Sequence, residues 1–239
     1  MTFEEMHHDL LMAEAPAECT KALFERVVAA THAMGFTHCA FGIRMPFPFT
    51  RPRVEMFNNY SNNWRRRYGE MNYVMIDPSV ALASRSNRPA LWSADLAEQQ
   101  PQFWDEARDA GLHHGWFQSV TETSGVVGML TVARSSEPVT AAELKALDTK
   151  LSWLAHVVHH AFARLLITDR NPSSDSKLTA REIEILRWTA DGKTSGEISN
   201  ILSISDNTVN FHVKNAMAKL QTSNKTSATV RAAMLGMLS

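Results

Sequence analysis

Cysteine is nearly absent from this chain. Two residues, Cys19 and Cys39, in 239 exclude a disulfide framework, and both read as small buried or half-buried side chains in a reducing, cytoplasmic setting. Long apolar runs are lacking as well: no stretch approaches the roughly 20 apolar residues that span a bilayer, so no membrane association is expected. The opening MTFEEMHHDL has neither a basic n-region nor an apolar core, and no secretory signal is expected there. Internal repeats are missing. So are a G-x-S-x-G nucleophile elbow and any His/Asp spacing of metal-site type. The neighbours His156, His159 and His160 have no third ligand at a recognisable spacing. No catalytic residue, metal or cofactor is therefore expected, and the chain does not read as an enzyme.

Net charge is also close to absent, at −1, but it is unevenly distributed. Residues 177–239 hold eight Lys/Arg against five Asp/Glu, a balance of +3, which leaves −4 for residues 1–176. The sign change falls at a polar stretch, Asp169 to Ser176, containing Pro172 and three serines. It reads as a linker. The predicted organisation is a domain over 1–168, a linker over 169–176 and a smaller domain over 177–239.

The smaller domain shows consecutive helix starts. Thr179 with Glu182, and Thr194 with Glu197, are capping boxes, in which a hydroxyl and a carboxylate reciprocally satisfy backbone N–H groups. Gly192 supplies a left-handed stop between them. Ser205 caps a third helix, with Asp206 in its positive first turn, and Ser203-Ile204 leaves room only for a tight turn before it. A terminal helix follows from Lys225 to Leu238, with Ala228, Ala232 and Leu235 on one face as the expected contact between two copies. On the third helix Val209, Val213, Met217 and Leu220 recur at helical spacing and form a buried stripe, while Asn207, Asn210, Phe211 and Lys214 fall on the other side. That is the plan of a helix-turn-helix, whose second helix enters the major groove.

In the larger domain helix and strand patterns mix. Ala17–Met34 has helical periodicity, Phe36–Met45 and Val54–Asn58 read as strands, and Asn62–Glu70 and Phe103–Gly111 as short helices. Gly115–Thr123 and Val126–Arg134 flank Ser124-Gly125 as a hairpin, and a long helix runs from Ala141 to about Leu166. The expected class is α+β: an α/β/α sandwich around a central antiparallel sheet, followed by an all-α four-helix domain. Tyr60, Trp64 and Tyr68 recur every four residues, on one helical face or its N-terminal extension. From spacing alone such a stripe reads as core. Asp77 carries more weight if buried, because a carboxylate in a core needs donors.

At the C-terminus LTAREIEIL, Trp188, GKTSGEIS, Leu202, Ser205, Thr208-Val209, His212, Asn215, Lys219-Leu220 and Ala228 resemble the DNA-binding domain of LuxR-type transcription factors. Ser199 departs from the small apolar residue usual there and is expected to loosen packing slightly. Upstream, NYSNNWRRRY, IDP, LW, FWDEARDAGLHHG and MLTVARSS resemble the ligand domain of acyl-homoserine-lactone receptors, the quorum-sensing branch of that family. Together the two resemblances span nearly the whole chain.

The resemblance implies a homodimeric regulator that binds an N-acyl-L-homoserine lactone and then promoter double-stranded DNA, with RNA polymerase a further candidate partner. By it, Trp64 donates to the lactone carbonyl, Asp77 accepts the ligand amide N–H, Tyr60 donates to the acyl carbonyl, and Thr131 helps hold that carbonyl. Tyr68, Trp92, Phe103 and Leu112 would form an apolar wall, with Ala40 and Met129 as further lining. The DNA-contacting set is Lys193, Thr194, Asn207, Thr208, Asn210, Phe211, Lys214, Lys219 and Lys225, with Lys193, Thr194, Lys219 and Lys225 directed at phosphates. Two rivals stand beside this reading: a phosphorylation-controlled response regulator with the same reader, whose receiver would be a parallel βαβ domain, and a lactone-processing enzyme.

Overall fold

A computed structural model describes residues 20–48, 50–122, 124–168 and 177–238. The linker expected over 169–176, Cys19, Phe49 and the strand end expected at Thr123 lie outside the described residues. The chain forms two compact units, the first ending at Leu166.

The first unit begins with helix α1 (Thr20–Ala33), then strands β1 (His38–Met45) and β2 (Arg53–Asn58), helix α2 (Asn62–Glu70), a 3-10 turn (Tyr73–Met75) and helix α3 (Pro78–Ala83). Strand β3 (Ala90–Leu91), helices α4 (Ala94–Gln99) and α5 (Pro101–Asp109), the hairpin β4 (His114–Thr121) and β5 (Val127–Arg134), and helix α6 (Ala141–Thr168) complete it. The sheet order is β2-β1-β5-β4-β3 and each neighbouring pair is antiparallel. A parallel receiver domain has no such sheet, which removes the response-regulator alternative. The 3-10 turn, α3, β3 and α4 were not anticipated.

Side chains alternate across a strand, so the sheet has two differently occupied faces. On one, Phe41, Ile43, Leu130, Val132 and Trp116 pack with Leu23 and Val27 of α1 and with Leu151, Leu154, Val158 and Phe162 of α6 in one buried core. Arg134 fastens α6 to the end of β5 through a two-pronged pair with Glu143, both contacts at 2.7 Å, and by donating to the carbonyls of Glu137 and Pro138. The other face meets a second core built from α2 to α5. Helices on both faces of an antiparallel sheet give the expected α/β/α sandwich.

The second unit holds α7 (Ala180–Ala190), α8 (Ser195–Leu202), α9 (Asp206–Lys219) and α10 (Lys225–Met234). Both capping boxes form at Thr179/Glu182 and Thr194/Glu197, Gly192 takes φ +84°, and Ser205 accepts from the Thr208 N–H. Each such cap is worth about 1 kcal/mol to the helix that follows. Val209, Val213 and Leu220 are buried as the stripe predicts, and Met217 packs against the cores on either side. Ser199 does not loosen this packing, because its hydroxyl donates to Gly196 O at 2.8 Å and the residue stays buried. Ala228 and Ala232 are fully buried with Leu186, Ala216 and Leu220, and Leu235 packs on them. The face expected to join two copies is instead the centre of this unit's own core.

Candidate functional site

A cavity of about 300 Å³ opens between the second face of the sheet and the α2–α5 layer. Its floor follows from strand register. Asn58, Ala40 and Thr131 form one cross-sheet rung, Met56, Gly42 and Met129 the next, and Val54, Arg44 and Val127 a third. All nine line the cavity. Two residues along a strand advance about 6.8 Å, so three rungs make a floor about 14 Å long.

The roof is aromatic. Ser61 caps α2 by accepting from the Trp64 N–H at 3.2 Å, which starts the helix directly after Tyr60 and sends Trp64 and Tyr68 down one face. Trp64 meets Tyr68 edge-on at 5.9 Å between ring centroids, and Phe103 of α5 lies 5.9 Å from Trp64 and 6.2 Å from Tyr68. From outside, Glu106 of α5 holds this box together by accepting from Arg67 Nε and Nη2 and from the Tyr73 hydroxyl, all at 2.7 Å. Those donors, Arg67 first, hold the Glu106 carboxyl down at about 2. Arg67 thus belongs to a tertiary pair with Glu106, while Arg65 lines the cavity.

Asp77 is 8% exposed and answers the question of its donors. As N-cap of α3, with Pro78 following, it accepts at Oδ1 from the Ser79 N–H at 2.8 Å and the Ser79 hydroxyl at 2.6 Å. At Oδ2 it accepts from the Tyr68 hydroxyl at 3.0 Å. Burial raises its pKa, and the bonds from Ser79 and Tyr68 work against that rise. A carboxylate has about four lone-pair positions, so Oδ2 keeps capacity for one more donor. Tyr68, expected as apolar wall, is therefore a polar partner of Asp77 as well as a surface. Burial first, and the neighbouring Asp77 among other groups, raise the pKa of Tyr60 and Tyr68; both phenols stay protonated and can only act as O–H groups.

All ten residues singled out for the ligand, Ala40, Tyr60, Trp64, Tyr68, Asp77, Trp92, Phe103, Leu112, Met129 and Thr131, line this one cavity. Trp92 lies so close over Gly115 that a Cβ there would stand 2.5 Å from its ring, and its buried indole Nε1 has no hydrogen-bond partner among the described residues. Gly42, Met56, Val127, Ser79, Trp104 and Ser119 line the cavity too and were missed. Strand alternation puts Gly42 on the face of Ala40 and Val127 on that of Met129 and Thr131, so a period-two reading of the two strands could have found both. No local signal marks Ser119, whose hydroxyl donates to Ala83 O at 2.7 Å across the fold.

In the second unit Asn207, Asn210, Phe211 and Lys214 of α9 are exposed, with Phe211 60% open to solvent. Asn210 Oδ1 accepts from the Ser195 hydroxyl at 2.9 Å. The Thr208 hydroxyl pairs with that of Ser205 at 2.8 Å, and Thr194 is exposed but engaged in its capping box. Lys193 and Lys225 are half-buried, and burial lowers the Lys225 pKa. Lys219 behaves differently from expectation: its Nζ donates to Glu182 Oε1 and Oε2 at 3.1 and 2.8 Å, and Glu182 is 3% exposed. An ammonium neutralising a buried carboxylate is not a free phosphate contact.

Residues 20–162 match the model of the autoinducer binding domain, and residues 176–232 match that of bacterial regulatory proteins of the luxR family. The chain belongs to the LuxR family. It is 42% identical to the transcriptional activator protein AnoR of Acinetobacter nosocomialis over 98% of this chain and 100% of that one. The crystal structure of Escherichia coli SdiA superposes with a TM-score of 0.81 at 32% identity, covering 100% of both chains. A second LuxR family structure, the N-acylhomoserine-lactone-dependent factor CepR2 of Burkholderia cenocepacia, gives a TM-score of 0.61 at 30% identity over 69% of this chain and 96% of that one. This LuxR-family chain therefore joins an autoinducer-binding domain to a helix-turn-helix DNA-binding domain, the make-up of a quorum-sensing transcriptional regulator. Its family and relatives are transcription regulators, and no helix among the described residues is long and apolar enough to cross a membrane.

Proposed function

We propose that the signal held in the first unit is an N-acyl-L-homoserine lactone and that the cavity floored by Ala40, Gly42, Met129 and Thr131 is where it binds. The observation that carries this reading is Asp77: a buried carboxylate, oriented by Ser79 and Tyr68, with an acceptor position left over beside an aromatic roof. An amide N–H is a natural donor to it. Tyr60 and Thr131, joined through the Asn58–Ala40–Thr131 rung, would donate to the acyl carbonyl, and Trp64 to the lactone carbonyl. The apolar floor beyond them suits an acyl chain. A dry pocket that satisfies each head group rejects analogues at about 1–3 kcal/mol per unpaired polar group.

Ligand binding to the folded unit alone stabilises it, and the occupied chain acts as a cytoplasmic homodimer whose two readers take half-sites about one helical turn, or a multiple, apart. Asn207, Asn210, Phe211 and Lys214 meet base edges and Thr208 stands beside them in the DNA-contacting set; Lys193, Thr194 and Lys225 are directed at phosphate, and RNA polymerase is a further partner at the promoter. The +3 balance of the reader is doubled by pairing. Lys219 drops out of the phosphate set because Glu182 holds it. Lactone incubated with the purified protein should be recovered intact, and retention of promoter DNA should rise with lactone concentration. A ring-opened product would favour an enzyme instead.

A further inference from the structure

We propose that Ser195 fixes which edge Asn210 shows to DNA, so that Asn210 reads guanine in preference to adenine. This rests on the placement of α9 in the major groove proposed above. Ser195 is the first residue of α8, and its hydroxyl donates to Asn210 Oδ1 on α9 at 2.9 Å. Thr194 already caps α8, so the helix start does not need the Ser195 hydroxyl. The bond ties the two helices at the point where both would approach the duplex.

An asparagine amide has an acceptor and a two-proton donor on opposite sides. Pairing with adenine uses both: Oδ1 accepts from N6–H while Nδ2 donates to N7. With Oδ1 turned toward α8 and engaged by Ser195, the edge left for the groove is Nδ2 with its donors. Guanine sets two acceptors, N7 and O6, side by side; adenine places an N6 donor next to its N7, cytosine presents a donor, and thymine offers one acceptor beside a methyl group. A donor-only edge fits guanine best. Asn207, exposed on the same face, makes no such bond among the described residues and does not share this restriction.

The test is selection from a randomised duplex library by the full-length protein with a mixture of N-acyl-homoserine lactones of differing chain length. The wild type should select guanine over adenine by roughly tenfold at one position of each half-site. Asn210→Ala should level all four bases at that position alone. Ser195→Ala should let the amide turn over and bring adenine within about twofold of guanine there, with the melting temperature unchanged, since alanine is a good helix former. If Asn210→Ala levels the position but Ser195→Ala leaves the guanine preference intact, the clamp is overturned and the placement of α9 stands. If Asn210→Ala alters no position, both are overturned. Wild-type selection of adenine at the Asn210-dependent position would likewise overturn the proposal.

Discussion

Asp77 shows how one side chain serves structure and chemistry at once. Oδ1 starts α3, while Oδ2 faces Tyr68 and the cavity. Burial raises its pKa, so on acidification the folded chain takes up its proton before the unfolded chain does. By linkage, the empty unit then loses stability as pH rises from the ordinary carboxylate value through the raised one. A ligand amide that donates to Asp77 favours the ionised form. Lactone affinity should therefore weaken as pH falls through the raised pKa, measured as Kd against pH, and Asp77→Asn should flatten that profile and lower affinity at neutral pH about tenfold or more. A second residue-scale expectation concerns Gly115. A Cβ there would collide with the Trp92 ring, so Gly115→Ala should cost about 1–3 kcal/mol of stability and weaken lactone binding, read from denaturation and binding titrations together.

Helices and strands were legible in unequal degree, and the reasons are physical. Long or capped elements announce themselves: two capping boxes, the Gly192 stop and the stripe Val209-Val213-Leu220 are local signals, and all reappear in the structure. Helices α3 and α4, six residues each, are too short for periodicity to register. Tertiary pairings are invisible to spacing. Lys219 reaches Glu182 across 37 positions, and nothing near Lys219 in sequence separates that fate from a phosphate contact. Burial pushes the Glu182 pKa up, and the bonds from Lys219 and Thr179 outweigh it, leaving the pKa below its ordinary value. Its contribution is thus present above the ordinary carboxylate range and lost as pH falls. Lys219→Ala should lower the reader's melting temperature through an unpaired buried carboxylate and leave the salt slope of DNA binding unchanged; a slope flattened by about one unit would restore its phosphate role. Leu235→Asp, placed against Ala228 and Ala232, should destabilise the reader by about 1–3 kcal/mol, so any loss of DNA binding should track a lower melt.

At the scale of the whole molecule the account is one of linkage. The site residues taken from the N-terminal resemblance lie around a single cavity, yet the polarity of Tyr68 and the anchoring of Ser119 came only from the folded arrangement, because each acts through a partner on another element. A ligand that binds the folded unit alone adds RT ln(1 + [L]/Kd), roughly 2.7 kcal/mol at a hundredfold excess over Kd. That is a large fraction of the stability of a domain this size, and it is the free energy available to favour the DNA-binding dimer proposed above. The most direct test is the melting temperature of the purified full-length protein against a panel of N-acyl-homoserine lactones of different chain lengths. At least one member should raise it in a concentration-dependent way, and Asp77→Asn should diminish the shift. A melt that no member of the panel moves would contradict the account.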